Sequence, residues 1–96
     1  MINYKDAKNR VQVFLDKKLE QDDEIVYEII ESETIEKTFG WVFFYNSKEY
    51  LATSNMSAYL AGNAPIIINR MSETIIETGT AYPIEYYLEK YNRGEI

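Results

Sequence analysis

Residues 60–91 read LAGNAPIIINRMSETIIETGTAYPIEYYLEKY, and the fold turns on how this stretch is read. Gly62 and Asn63 both tolerate positive φ and signal a reversal of the backbone. Pro65 restricts Ala64 to extended geometry and is itself suited to open a strand. Residues 66–69 and 74–78 then read as a short hairpin across 70–73, and Gly79 marks a bend. Pro83 at the first helical position starts a helix whose apolar face is Ile84, Tyr87, Leu88 and Tyr91. Glu85, Glu89 and Arg93 lie outward, the last two at the spacing of a helical ion pair, and Gly94 stops the helix.

The upstream chain supplies partners for this stretch. Asn3 is an N-cap with Asp6 in the first turn, and Tyr4, Ala7, Val11, Phe14, Leu15 and Leu19 recur at helical spacing. Lys5, Lys8, Asn9, Gln12, Asp16 and Lys17 take the other side, so an amphipathic helix over residues 3–19 is expected to lie on a sheet. An acidic turn, residues 20–24, leads into an extended run at 25–30 that Thr34 and Ile35 can prolong. Glu36, Lys37 and Thr38 read as a hairpin turn before the most hydrophobic stretch, 39–45. Alternation sets Phe39, Trp41, Phe43 and Tyr45 on one face and Gly40, Val42 and Phe44 on the other, which predicts a central strand covered on both sides. Residues 46–57 read as irregular, with Tyr50 and Leu51 turned inward and a turn at Ser54 and Asn55; one helical turn is expected over 56–61. The expected architecture is α+β in the order α-β-β-β-β-α: a four-stranded, mainly antiparallel sheet with both helices on one face.

Ninety-six residues are read as a single domain, 1–96. Such a chain buries about 60–70% of its unfolded surface, and a hydrophobic content of 46% suffices for a core of that size. Without cysteine there is no disulfide and no thiolate chemistry. The longest purely apolar run, residues 41–45, is far below the roughly 20 residues that span a bilayer, and MINYKDAKNR lacks the apolar core of a secretory signal. A cytoplasmic protein is expected. Ten basic against sixteen acidic residues leave a net charge of −6, which repels nucleic acid and suits either solubility or a basic protein partner.

Catalytic chemistry finds little support. Histidine is absent, which removes the commonest general base and the commonest transition-metal ligand. Serines stand at 32, 47, 54, 57 and 72 with no histidine to activate them, and no motif supports a serine–lysine pair. Neither 22–24 nor Glu31, Glu33 and Glu36 has the ligand spacing and central glycine of a calcium loop, and no phosphate-binding glycine loop is present. No cofactor or metal is expected. Residues 37–44, KTFGWVFF, look like the octamer of RNA-recognition motifs. Thr38 replaces its glycine, Trp41 replaces a phenylalanine or tyrosine, and the element order is wrong, so a core strand is the better reading.

Gly40-Trp41 with Phe43, the corner at 60–65 leading into 66–68, and Gly79-Thr80-Ala81 before PIEYYL at 83–88 together resemble the YrhB-like family, also called the immunity protein 35 domain family. The resemblance runs from about Tyr4 to Tyr91. Its relatives often carry Asp at the position of Asn69 and glycine at that of Glu73; the turn here lacks that glycine, which leaves its geometry open. The resemblance implies a small cytoplasmic bacterial α+β protein that neutralises a cognate toxin of a polymorphic toxin system, with no catalytic motif to carry over. Trp41, Gly62, Asn63, Pro65 and Gly79 transfer as fold-defining positions. The expected mode is stoichiometric binding through an acidic, partly aromatic surface: Asp22, Asp23, Glu24, Glu31, Glu33 and Glu36, with Tyr50 and Tyr59 as aromatic anchors. For each acidic residue the competing reading is a solvated rim, and for the tyrosines it is core packing. A chaperone-like or stress-related housekeeping protein is the second reading and an enzyme the weakest. Whether the chain is a monomer or a homodimer is open.

Overall fold

Ile66, Ile67 and Ile68 are consecutive and each is 0% exposed. Neighbouring residues of a strand point to opposite faces, so a run of this kind requires both faces of its sheet to be covered. The computed structural model, which describes residues 1–18, 26–59 and 63–96, meets that requirement. Its elements are α1 (Tyr4–Lys18), β1 (Tyr27–Ile29), β2 (Ile35–Lys37), β3 (Gly40–Phe43), β4 (Tyr45–Ser47), α2 (Lys48–Thr53), β5 (Ile66–Asn69), β6 (Ile75–Glu77) and α3 (Ile84–Asn92). Short 3-10 turns lie at Glu31–Glu33 and Met56–Ala58.

All pairing is antiparallel, in a four-stranded sheet of order β2-β3-β5-β6 and a two-stranded sheet of β1 and β4. At the centre Trp41, Val42 and Phe43 stand opposite Ile68, Ile67 and Ile66. Ala7, Val11 and Leu15 of α1 pack on Trp41, Phe43, Ile66 and Ile68, together with Ile29 and Tyr45 of the smaller sheet. Leu88 of α3, with Ile84 and Tyr91, packs on Val42 and Ile67.

The α+β class and the antiparallel pairing agree with expectation, and three details are corrected. First, the two terminal helices cover opposite faces of the four-stranded sheet, because β3 and β5 are apolar on both sides and each side needs its own cover. Second, each of the two long strands expected upstream is cut in two, which gives six strands among the described residues. The first is interrupted by the turn Glu31–Glu33 and the second at Phe44, where the Ile30 N–H still donates to the Phe44 carbonyl at 2.8 Å. The two arms therefore remain one hairpin with residues looped out of one arm, in the manner of an extended β-bulge. Third, Phe39 leaves the face of Trp41 and packs on Tyr91, ring centroids 4.6 Å apart. It occupies the two-residue turn with Thr38, and Gly40 follows at φ 151, which breaks the alternation.

The helix termini follow their sequence signals. The Asn3 side chain accepts from the Asp6 N–H at 2.8 Å, as an N-cap does. Pro83 is the N-cap of α3, so the helix starts at Ile84, one residue later than expected. At the other end the Gly94 N–H donates to Tyr91 O and the Glu95 N–H to Lys90 O, a Schellman closure. The stretch expected to be irregular contains α2, capped by the Ser47 hydroxyl, which accepts from the Tyr50 N–H at 3.0 Å.

In the turn between β5 and β6, the Asn69 side-chain oxygen accepts from the Met71 and Ser72 N–H groups at 2.8 and 3.0 Å, while its amide donates to the Tyr91 hydroxyl at 2.9 Å. Glu73 itself adopts the left-handed conformation, φ 63, at the position where the resemblance expects glycine. For a residue with a Cβ this costs about 1–2 kcal/mol. Its carboxylate meets Arg10 at 2.7 Å, a half-exposed ion pair that returns at most about 1 kcal/mol. Glu73→Gly is therefore expected to stabilise the protein by about 0.5–1 kcal/mol, read as a rise in the denaturant midpoint. Gly40→Ala has the opposite expectation: its Cβ would lie 2.0 Å from the Ile68 carbonyl oxygen, within the backbone of β5. A loss of about 3–5 kcal/mol, or failure to fold, should follow; an unchanged midpoint would disprove the close approach.

Candidate functional site

The cleft opens where regular pairing stops. β3 and β5 pair as far as Phe43 and Ile66; beyond that point one chain continues as β4, which pairs with β1. The gap is bridged by the Asn63 amide, which donates to the Tyr45 carbonyl at 3.2 Å. On its other flank the Pro65 carbonyl accepts from both the N–H and the hydroxyl of Thr78, at 3.0 and 2.8 Å. The resulting cleft of about 600 Å³ is lined, among the described residues, chiefly by Tyr45, Tyr50, Tyr59, Tyr82, Phe44 and Glu33. Asn63, Pro65 and Gly79 also border it, so three of the expected fold-defining positions shape its walls. At Gly79 a Cβ would come within 2.5 Å of the Tyr87 hydroxyl, so the absence of a side chain lets the segment before α3 lie against that ring.

Tyr50 from α2 and Tyr59 meet edge to face, centroids 4.9 Å apart. Tyr59 and Tyr82 are exposed, and Tyr82 stacks on Tyr86 at 4.2 Å. Tyr45 lies deeper, against Tyr27 at 5.1 Å.

The expected acidic surface divides. Glu31 is hydrogen-bonded to Lys8, and Glu36 meets Arg70 at 3.2 Å. The contact between Lys8 and Glu31 raises the lysine pKa and lowers the carboxylate's, each through the hydrogen bond first. Among the described residues, Glu33 is the one charged side chain lining the cleft, and it forms no salt bridge. Asp22, Asp23, Glu24 and Gly62 fall outside the described residues. The structure thus brings Glu33, Tyr50 and Tyr59 together and leaves Glu31 and Glu36 engaged elsewhere. Trp41 lies in the core, 3% exposed, beneath the Arg70 guanidinium at 4.6 Å.

Sequence reasoning missed Tyr82 and the cleft-facing side of Tyr45. For Tyr82 a signal existed: a tyrosine in the bend between Gly79 and Pro83, four residues from Tyr86. Tyr45 gave none, because its ring belongs to the core and reaches the cleft only through the bend at Phe44.

The cleft is suited to binding. A general base needs a pKa poised near neutrality. Burial moves the Tyr45 phenol the other way, up to about 12, with Tyr27 and Glu77 adding to the effect. Among the described residues no group of three or more carboxylates could hold a metal ion, and no helix is long and apolar enough to cross a membrane. The Tyr45 proton is held more tightly in the folded than in the unfolded chain between pH 10.0 and about 12. Its contribution to stability is therefore complete below that window and lost as pH rises through it. Denaturation midpoints measured across this range should fall less steeply for Tyr45→Phe than for the parent; equal slopes would refute the assignment.

The sequence profile described as Immunity protein 35 matches residues 5–94. The chain is also 48% identical over 52 residues to "Uncharacterized protein YrhB" of Escherichia coli (strain K12), a match covering 54% of this chain and 55% of that protein. The chain thus spans about half the length of that relative. No solved structure matches it. Since the profile takes in nearly every residue, including both terminal helices and all six described strands, the chain belongs to the immunity protein 35 family.

Proposed function

We propose that this protein neutralises a cognate bacterial toxin by stoichiometric, non-catalytic binding in the cytoplasm, and that the tyrosine-lined cleft is the contact surface. The reading rests on family membership combined with one observation: four tyrosines and a single carboxylate converge on a cleft that has no nucleophile–base pair among its described residues. Tyrosines present large, semi-rigid surfaces with a polar tip, the kind of residue that carries most of the energy at protein interfaces. The net charge of −6 would speed encounter with a basic partner, and Asp22, Asp23 and Glu24 add to that field by charge alone. The exposure of Met56, Tyr59 and Tyr82 also favours a second reading, a chaperone-like protein that binds many unfolded clients.

Co-expression with the product of an adjacent toxin-domain gene separates the two. Neutralisation predicts relief of growth arrest and a one-to-one complex that co-purifies. Within that complex Tyr59→Ala should weaken binding by at least about tenfold, and added salt should slow association. Persistent arrest with no complex would rule out neutralisation for that pair. Equal binding of unrelated denatured proteins would favour the chaperone reading.

A further inference from the structure

The fold already contains one cation receptor. The Arg70 guanidinium lies over the Trp41 ring at 4.6 Å, and the same group reaches the Glu36 carboxylate at 3.2 Å and the Lys37 carbonyl at 2.7 Å. The aromatic face meets the flat cation, and the two oxygens take N–H groups of one terminal nitrogen, Nη2, while the buried Nε makes no hydrogen bond. A second, simpler instance sets the Lys90 ammonium 5.2 Å from the Tyr86 ring centre.

The cleft has the same parts without the cation. Tyr50, Tyr59 and Tyr82 supply aromatic rings, the first two edge to face and the third stacked on Tyr86, and Glu33 supplies an exposed carboxylate with no salt bridge among the described residues. No lysine or arginine lines it among the described residues, whereas Glu31 and Glu36, on either side of Glu33 in sequence, each have a basic partner. We infer that the cleft is a receptor for an arginine side chain projecting from a basic protein partner, its guanidinium stacked on tyrosine and forked to Glu33. Arginine fits better than lysine, because its planar group can engage ring and carboxylate together and gives up its water more readily. The inference rests on the proposed function in treating the cleft as the contact surface, but its test requires no toxin.

The test titrates the purified protein with acetyl-Gly-Arg-Gly-amide and with the matching citrulline peptide, which keeps the shape and lacks the charge. Resonances of Tyr50, Tyr59 and Tyr82 are followed by NMR. The arginine peptide should produce saturable shifts gathered on these three tyrosines, and the citrulline peptide should bind at least about tenfold more weakly. Glu33→Gln should weaken the arginine peptide at least about threefold. Glu49→Gln, an exposed change on α2 at a residue that does not line the cleft, should leave it unchanged. Both variants should keep the parent thermal midpoint. The inference is overturned by shifts that do not saturate, by shifts scattered over the acidic surface, by equal binding of citrulline, or by indifference to Glu33→Gln. Those results would leave neutralisation standing, since co-expression decides it; a failed co-expression would leave a positive peptide result intact.

Discussion

Two-sided burial of the β3–β5 pair is the constraint on which the other elements depend. Trp41, Val42 and Phe43 are paired with Ile68, Ile67 and Ile66, and all six are at most 3% exposed. Burying a large apolar side chain is worth roughly 1.5–3 kcal/mol, but only if its own face is sealed from water. One helix cannot seal both faces. The fold therefore places α1 over Trp41, Phe43, Ile66 and Ile68, and α3 over Val42 and Ile67. The two flanking strands carry the same division: Ile75 faces the α1 side, while Ile35 and Ile76 face the α3 side.

The cleft is a consequence of what that pairing leaves over. The upstream hairpin is longer than the part of β3 that β5 can cover, so its far end bends at Phe44 and becomes the smaller sheet. The residues looped out at Glu31–Glu33 absorb the mismatch between the two arms and carry Glu33 to the mouth of the gap. Irregular backbone of this kind is where binding residues collect, because a regular ladder leaves no concavity for them. Here the surrounding scaffold holds the irregular part from both sides: α1 donates from Gln12 to the Tyr27 carbonyl at 2.9 Å, and Asn63 holds the Tyr45 carbonyl.

Among the described residues, four ion pairs join distant elements. Lys18 bonds to Glu77, Arg10 to Glu73, Lys8 to Glu31 and Arg70 to Glu36, pairs of modest individual worth that tie α1 and the turn after β5 to their neighbours. Arg70 does more than the others. Its backbone carbonyl accepts from Ile2, its N–H donates to Phe39, and its side chain covers Trp41, so the N-terminal segment, the β2–β3 turn and the core meet at one residue. Glu33 differs from these in lining a cleft with four tyrosines.

Local signals were legible in the sequence because they are local physics. The Asn3 cap, the helical stripe of α1, the Ile66–Asn69 strand after Pro65 and the stop at Gly94 each depend on residues within a turn or two of one another. The doubly covered central strand was legible too, from apolar residues on both of its faces. Helices on opposite faces, where one face was expected to carry both, follow from the same residues together with the isoleucine triplet. Tertiary structure alone decided the rest. Whether a long hairpin runs straight or breaks depends on how much of it a third strand can pair with, and that strand lies more than twenty residues away. Which of three similar glutamates faces a cleft depends on the basic residue that α1 or the turn after β5 brings to the other two. The amino-acid sequence by itself determined the two terminal helices, the β5–β6 hairpin, the α+β class and the absence of histidine and cysteine chemistry. The packing of distant elements determined where the tyrosines and Glu33 converge, because convergence is a property of space and not of spacing.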